Sequence, residues 1–368
     1  MKIGLGLYRE SLTPDNFRFA RQAGATHIVA HLTNYFSGRD PSLSSGNDLS
    51  GWGDCSQDRL WTYDEMSALV GTLRENGLQL GALENFSPKF WSDVLLDGPD
   101  RDAQIEGLKR LISDAGRAGV PCIGYNFSLA GVWGWKRGPF ARGDAMSVGL
   151  DLDAIDPDEP IPDGVVWNMR YRPARAGAAP VTVSDTELWQ RLEHFLREIV
   201  PVAEEAGIRL AAHPDDPVAN ELRRTARLVN RPEKYDRLLD IVDSPANSLE
   251  LCLGSMQEMP IAGEIYPHVR RYAARDRIGY IHFRNVRGKV PQYHETFVDE
   301  GDIDMAEIVR ILRDENYDGV LIPDHTPEMS CAAPWHAGMA FALGYMKALV
   351  QSADQLGPSF SKAGPKAA

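Results

Sequence analysis

The sequence predicts a (β/α)8 barrel, the TIM-barrel fold, as a single domain over residues 1–350 with an inserted lid-like segment after the fourth strand. Short apolar, β-branched runs recur eight times, and most of them follow a helical pattern that ends at glycine. Repeated strand–helix units with right-handed crossovers build a parallel sheet. The first run is not followed by a Gly-rich dinucleotide fingerprint, so a closed barrel is favoured over an open doubly wound sheet.

The eight strands are predicted at residues 3–7, 27–31, 78–84, 122–125, 208–212, 248–252, 278–283 and 319–322. Thr13 and Pro14 are a suitable N-cap and first residue for a helix that closes at Gly24. Further helices are predicted at residues 62–76, 102–118, 185–206 and 337–350, and Gly77, Gly119 and Gly207 directly follow the first three of them.

Three stretches depart from the repeat. Residues 133–184 are rich in Gly, Pro, Asp and Arg with little periodicity, which predicts an inserted lid or an oligomer contact. Residues 33–60 are predicted as a long loop after the second strand. The Gly-, Pro-, Ser- and Lys-rich residues 351–368 are predicted to be a disordered tail.

The composition narrows the class of protein. The net charge of −13 argues against a nucleic-acid partner, because phosphate binding needs a concentrated basic surface. No apolar run approaches the roughly 20 residues that span a bilayer, and the first residues lack the features of a signal peptide. The four cysteines are scattered, which favours free thiols or metal ligands over disulfides. We therefore expect a cytoplasmic protein without a membrane partner.

Four consecutive strand ends carry side chains that bind transition metals. His213 follows the fifth strand, Cys252 ends the sixth, His282 lies on the seventh and Asp324 follows the eighth. The active site of a TIM barrel lies at this end of the strands, so all four would face one mouth. Two imidazoles, a thiolate and a carboxylate suit Mn²⁺, Fe²⁺, Co²⁺ or Zn²⁺ and are poor ligands for Ca²⁺ or Mg²⁺.

Each of these residues also has an ordinary structural explanation. A lone His at a strand end is more often a hydrogen-bonded structural residue, a lone Cys is usually a small core residue, and an Asp there is often a helix N-cap. Their coincidence at four neighbouring strand ends favours the metal site.

Further polar residues near the same strand ends are candidates for catalysis or substrate binding. His325 follows a predicted ligand and could act as general acid or base, the alternative being a surface histidine. Arg284 shares a strand face with His282 if the strand continues, and could neutralise a substrate carboxylate. Hydroxyl groups of a substrate could be bound by four others, which are Glu84, Tyr125, Asn126 and His294.

The motifs taken together resemble the mannonate dehydratase family, a xylose-isomerase-like group of TIM barrels. The resemblance rests on His-Pro-Asp-Asp-Pro at 213–217, Cys-Leu-Gly-Ser at 252–255, His-Phe-Arg at 282–284, His-Glu at 294–295 and Pro-Asp-His at 323–325, and it runs from about residue 105 onward. It implies a lyase that binds Mn²⁺ or a similar ion through the matching His213, Cys252, His282 and Asp324. Family members remove water from D-mannonate to give 2-dehydro-3-deoxy-D-gluconate.

The resemblance implies a small sugar acid as substrate, and we also expect a homo-oligomer. The substrate-facing loops differ from the family pattern: a family Tyr is absent beyond Asp324-His325, where His336 or Tyr345 would have to replace it. We assign His325, Asp324, Arg284 and His336 as candidate catalytic residues. Two other functions stay open at this point, namely a metal-dependent sugar isomerase or epimerase that uses a similar enediolate, and a sugar-binding protein without activity.

Overall fold

The structure is a computed structural model that describes residues 1–355 apart from 36, 37, 39, 44–52, 54, 56, 57 and 157. Eight parallel strands form a closed barrel. They are β1 (Lys2–Leu7), β2 (His27–His31), β3 (Gln79–Glu84), β4 (Cys122–Tyr125), β5 (Arg209–Ala212), β6 (Asn247–Cys252), β7 (Ile278–His282) and β8 (Val320–Ile322). Each strand pairs with its sequence neighbours, and β8 closes the barrel against β1. The predicted fold class is confirmed, with strand bounds that differ by at most one residue.

Helices surround the barrel, and their caps follow from the sequence. Thr13 accepts a hydrogen bond from the Asn16 amide, and Thr62 and Ser184 each form a reciprocal capping box with a glutamate three residues later. The helices are α1 (Pro14–Gln22), α2 (Tyr63–Glu75), α3 (Ser92–Leu96), α4 (Arg101–Arg117), α5 (Asp185–Ala206), α6 (Pro232–Ile241), α7 (Leu253–Glu258), α8 (Tyr266–Ala274), α9 (Met305–Asp314) and α10 (Pro334–Gln355). Short 3-10 helices lie at Arg9–Ser11, Pro41–Leu43, Pro88–Phe90, Arg142–Asp144 and Leu152–Ala154.

The register of the strands places the predicted ligands at one level of the barrel. Cys252 on β6 pairs with His282 on β7, and His282 pairs in turn with Ile322 on β8. Tyr125 on β4 pairs with Ala212, the residue before His213. The side chains at these strand ends therefore meet at the carboxyl end of the barrel.

The insertion at residues 133–184 contains more regular structure than its sequence predicts. Lys136–Ala141 and Ala145–Asp151 form a hairpin, which joins Val286–Lys289 and Gln292–Glu295 in a four-stranded antiparallel sheet. Two glycines hide the strand pattern: Gly138 and Gly149 lie against the ring of Phe140, where a side chain would collide with it. A role as a moving lid stays a prediction.

Smaller strand pairs complete the fold, at Val165–Val166 with Met169–Arg170 and at Glu221–Leu222 with Thr225–Ala226. The tail prediction needs correction at its start, because residues 351–355 continue α10, whose apolar face packs on the barrel. The rest of the predicted tail, and much of the predicted loop at 33–60, lie outside the described residues. Among the helices that are described, none is long and apolar enough to cross a membrane.

Candidate metal centre and active site

A cavity of about 240 Å³ opens at the carboxyl end of the barrel. Its lining residues lie at or after the ends of β5, β7 and β8 and of β1 to β4, and others come from the insertion. Of the residues predicted from sequence, the cavity is lined by Glu84, Asn126, His213, His282, Arg284, Asp324 and His325. This is the position at which TIM-barrel enzymes carry their active sites.

Three of the four predicted ligands form a tight group. One ligand atom from each of His213, Cys252 and His282 lies within 4.8 Å of the other two. Asp324 adjoins the group, because its Oδ2 lies 3.4 Å from Nδ1 of His282. Cys252 and His282 are buried, and Asp324 is 18% exposed toward the cavity.

The backbone orients His213 toward the group. Its Nδ1 lies 2.6 Å from the carbonyl oxygen of Pro214, and a carbonyl can only accept, so Nδ1 carries the proton. Nε2 is then the nitrogen that can give up its proton and bind a metal ion. Burial lowers the pKa of His213, but the nearby Glu250 and Cys252 outweigh it and raise that pKa to about 9. Such a concentration of buried negative charge attracts a cation.

Cys252 has the surroundings of a thiolate. Its Sγ accepts a hydrogen bond from the Ser255 amide at 3.4 Å, in the first turn of α7. Burial alone would raise the pKa of this thiol, but Arg284, His213 and His282 together hold it well below its ordinary value. A cysteine in this state is a good metal ligand rather than an inert core residue.

The donor set and its unmet hydrogen bonds fit a transition-metal ion. Among the described residues, none makes an aligned hydrogen bond with either ring nitrogen of the buried His282, although buried polar atoms nearly always have a partner. Nitrogen, sulfur and carboxylate donors in one group match Mn²⁺, Fe²⁺, Co²⁺ or Zn²⁺. The residues present therefore fit the group that the sequence predicts.

Arg284 is the centre of a buried ion-pair network, although β7 ends two residues before it. Its guanidinium donates to Asp216 Oδ2 at 2.7 Å, Glu258 Oε1 at 2.6 Å and Glu295 Oε1 at 2.8 Å. Its side chain is 2% exposed. Because both terminal nitrogens are used by protein carboxylates, this geometry favours a structural role at the edge of the cavity over binding of a substrate carboxylate.

His325 is held beside Asp324 with one nitrogen fixed. Nδ1 lies 2.9 Å from Glu295 Oε2, and Nε2 lies 3.4 Å from Asp324 Oδ2. Its ring also packs edge-on against Trp135 of the insertion. Burial lowers the pKa of His325, but Asp324 and Glu295 outweigh it and raise that pKa to about 9. The side chain can thus exchange a proton with a molecule in the cavity.

The part of the cavity lining that follows β1, β2 and β3 is aromatic and polar. Tyr8, just after β1, stacks on His31 with ring centroids 4.6 Å apart. The Tyr35 hydroxyl lies 3.4 Å from His31 Nδ1 and accepts a hydrogen bond from Asn85 at 2.7 Å. Burial raises the pKa of Glu84, at the end of β3, but the nearby His31 and His282 outweigh it and lower that pKa to about 2. Aromatic faces beside fixed polar groups suit a polyhydroxylated ligand.

Three residues that the sequence predicted to bind substrate or to act in catalysis lie outside the cavity lining, so these predictions need correction. Tyr125 packs outward against Phe195 of α5, because strand side chains alternate and Asn126 takes the inward position. His294 faces Phe140, while its neighbour Glu295 faces the cavity. His336 is exposed on α10, in contact with Phe19 and 3.3 Å from Asn16 Oδ1.

Other residues in or beside the cavity were not assigned a role from the sequence. Glu250 lies two residues before Cys252 on β6, so the alternation of the strand places both on one face. His31 ends β2, and the rule that selected the four ligands also applies to it. Trp135 and Trp167 lie on irregular segments, where no pattern in the sequence points to the cavity. Glu295 belongs to the His-Glu motif and ends the strand Gln292–Glu295.

Comparison with known proteins agrees with the motifs. The model of the D-mannonate dehydratase (UxuA) family matches residues 17–356. A mannonate dehydratase of Streptococcus suis (strain 05ZYH33) is 32% identical over 280 residues, covering 72% of this chain and 74% of the relative. One from Geobacillus thermodenitrificans (strain NG80-2) is 32% identical over 290 residues, covering 72% and 76%.

Solved structures show the same fold. A mannonate dehydratase from Streptococcus suis serotype 2 superposes with a TM-score of 0.74 at 25% identity, covering 100% of this chain and 99% of the other. A D-psicose 3-epimerase from Clostridium cellulolyticum H10 has a TM-score of 0.56 at 14% identity, covering 95% and 99%. The second likeness extends to the fold alone.

Proposed function

The chain belongs to the mannonate dehydratase family of hydro-lyases, and from that premise we propose that it dehydrates D-mannonate or a closely related aldonate in a reaction that depends on a divalent metal. The observation that carries this proposal is the group of His213, Cys252 and His282 beside Asp324 at the cavity floor. The match to the family extends through all four residues, because it spans residues 17–356.

We propose that these four side chains hold one transition-metal ion, with Mn²⁺ as the first choice and Fe²⁺, Co²⁺ and Zn²⁺ as alternatives. Such an ion acts as a Lewis acid on substrate oxygens, which acidifies the proton on the carbon next to a carboxylate. The chain contributes the orientation of the ligands. Pro214 fixes the tautomer of His213, and the Ser255 amide supports the Cys252 thiolate.

Loss of water from a sugar acid requires removal of the C2 proton and protonation of the leaving 3-hydroxyl. We propose that His325 carries a proton in this exchange, because Glu295 fixes its Nδ1 and leaves Nε2 on the side of Asp324 and the cavity. Asn126, Glu84 and the aromatic wall formed by Tyr8 and Trp167 would bind the remaining hydroxyls and exclude water. His336 has no part in this arrangement, since it lies outside the cavity.

A panel of hexonates tests the proposal. The purified protein is loaded separately with Mn²⁺, Fe²⁺, Co²⁺ and Zn²⁺, and 2-keto-3-deoxy acids are assayed as products. We expect one aldonate, D-mannonate or a stereoisomer of it, to give keto-deoxy product only with metal. Isomerised sugar without keto-deoxy acid would contradict the dehydratase proposal, and so would binding without turnover under every metal. Light scattering on the same samples tests the expected homo-oligomer.

A further inference from the structure

His282 lies between two sets of acidic groups, one on each ring nitrogen. On the cavity side, Nδ1 lies 3.4 Å from Asp324 Oδ2. On the barrel side, Nε2 lies 2.9 Å from Glu250 Oε1 and 3.5 Å from Glu84 Oε2. The ring therefore has one nitrogen toward the proposed ligands and one toward carboxylates inside the barrel.

Glu250 is an unusual residue for its position. It lies in the interior of the barrel on β6, and its side chain is 1% exposed. Neither of its carboxylate oxygens makes an aligned hydrogen bond with a residue that the structure describes. A buried carboxylate is costly unless a partner compensates it, and the imidazole of His282 is in contact with this one. The contact between Glu250 Oε1 and His282 Nε2 is at hydrogen-bond distance.

The barrel interior also leaves room for this carboxylate. A Cβ atom at Gly124 on β4 would overlap the Tyr280 hydroxyl and lie 2.5 Å from Glu250 Oε2. Gly124 does not have a positive φ, so glycine is needed here for space and not for backbone conformation. The space below His282 is therefore occupied by Glu250 and Tyr280 because β4 presents no side chain at this point.

We propose that Glu250 is a positioning residue for the metal centre: it accepts the Nε2 proton of His282, which fixes the tautomer and directs the Nδ1 lone pair toward the ion. This rests on the proposed function, because it requires an ion held by His213, Cys252, His282 and Asp324. A carboxylate behind a ligand histidine orients the ring and raises its basicity, and loss of such a group typically weakens metal affinity about 10- to 100-fold.

The same three side chains suggest a competing explanation. Glu84, Glu250 and His282 offer ligand atoms within 4.8 Å of one another and could hold a second cation. The positioning role explains the short contact of His282 Nε2 without a second ion. The two explanations differ in the number of metal ions expected per chain and in whether His282 Nε2 carries a proton.

The test measures metal affinity and the tautomer of His282. Wild type, Glu250→Gln and Glu250→Ala are loaded with Zn²⁺, titrated against a chelator, and examined by NMR with ¹⁵N-labelled histidine. We expect one Zn²⁺ per chain, with His282 protonated at Nε2 and bound through Nδ1. Glu250→Ala should bind Zn²⁺ about 10- to 100-fold more weakly and lose the slowly exchanging Nε2 proton, and Glu250→Gln should recover part of both, because its amide oxygen still accepts.

A matched pair of glycine variants separates positioning from general damage to the barrel. Gly124→Ala displaces Glu250 and should weaken Zn²⁺ binding, whereas Gly6→Ala on β1 meets only Ile322 at 3.4 Å and should leave it unchanged. Two Zn²⁺ per chain, or His282 bound through Nε2, would overturn the proposal, as would unchanged affinity in folded Glu250→Ala. Wild type without any bound metal would instead refute the proposed metal centre itself.

Discussion

The two walls of the cavity are built in different ways. One wall contains His213, His282 and Asp324, with the buried Cys252 beside them, and these residues lie at or just after the ends of four neighbouring strands. The other combines the ends of β1, β2 and β3 with Trp135 and Trp167 of the insertion. In the first wall the barrel itself sets the distances between side chains, while in the second they depend on loops that cross the mouth.

The difference assigns separate tasks to the two walls. Strand ends are rigid, which suits metal ligands that must be placed within fractions of an ångström. Loops vary more easily in sequence and length, which suits the choice of substrate. We therefore expect substitutions in the strand-end wall to change the chemistry and substitutions in the loop wall to change substrate affinity.

The largest effect is expected from Cys252→Ala. Removal of a ligand should abolish stoichiometric metal binding and lower kcat about 1000-fold or more, since a catalytic metal supplies several kcal/mol of transition-state stabilisation. Elemental analysis and steady-state kinetics on the same sample measure both. Cys331→Ala is the control, because Cys331 is an exposed free cysteine. Full metal content in Cys252→Ala would remove Cys252 from the ligand set.

His325→Gln should lower kcat about 100-fold or more, because general acid or base catalysis contributes on that scale, while metal content stays near wild type. His336→Gln, at the residue that the structure places outside the cavity, should leave kcat unchanged. Kinetics with metal analysis on both variants provide the comparison. A large loss in His336→Gln and none in His325→Gln would reverse the assignment.

Arg284→Met should lower the free energy of unfolding by about 3–5 kcal/mol, since it leaves Asp216, Glu258 and Glu295 buried without the guanidinium that they share. Urea denaturation of the protein without added metal measures this. Arg287→Met is the matched control, because Arg287 is 49% exposed and its loss should cost less than about 0.5 kcal/mol. Equal stability of the two variants would argue against the network as a stabilising element.

In the loop wall, Arg137→Met should raise KM for the sugar acid about tenfold and leave metal content unchanged. Arg137 lines the cavity, and one charge-assisted hydrogen bond to substrate is worth about 1.4 kcal/mol, which is tenfold in affinity. The control is Arg142→Met, whose side chain pairs with Asp299 outside the cavity. Loss of metal in Arg137→Met would break the separation of the two walls.

The smallest effect is expected in the insertion, where Asp163 accepts hydrogen bonds from Arg172 at 2.6 Å and from the Arg175 amide at 2.8 Å. These contacts, with that of Arg172 foremost, hold the pKa of Asp163 well below its ordinary value. A depressed pKa means stability that is present above the unfolded pKa of about 4 and is lost as pH falls below it.

Asp163→Asn should therefore unfold about 1 kcal/mol more easily at pH 7, with a smaller difference from wild type at pH 3. Thermal unfolding at both pH values measures this. Asp158→Asn, at a 74% exposed residue, should differ little from wild type at either pH. A deficit for Asp163→Asn that persists undiminished at pH 3 would contradict the electrostatic explanation.

The sequence predicted the strand-end wall well because parallel strands bring their carboxyl ends together whatever the loops do. The ligands His213, Cys252 and His282 could thus be grouped without coordinates. Glu250 was within reach of the same argument, being two residues from Cys252 on one strand. The argument does not extend to His294 and Glu295. Which of the two side chains points into the cavity depends on pairing with a strand distant in the sequence, as in the pairing of His294 with Gly149.

The network around Arg284 has a consequence for how this enzyme could diversify. One guanidinium joins the segments after β5, β6 and β7 through Asp216, Glu258 and Glu295, and lies 4.0 Å from Asp324 after β8. Exchange of any one of these segments would disturb its neighbours, so the four must change together or not at all. The described residues of the segments after β1 to β4 make no such common contact with Arg284. New substrate preferences would therefore arise most easily in the segments after β1 to β4, while the proposed metal centre stays unaltered.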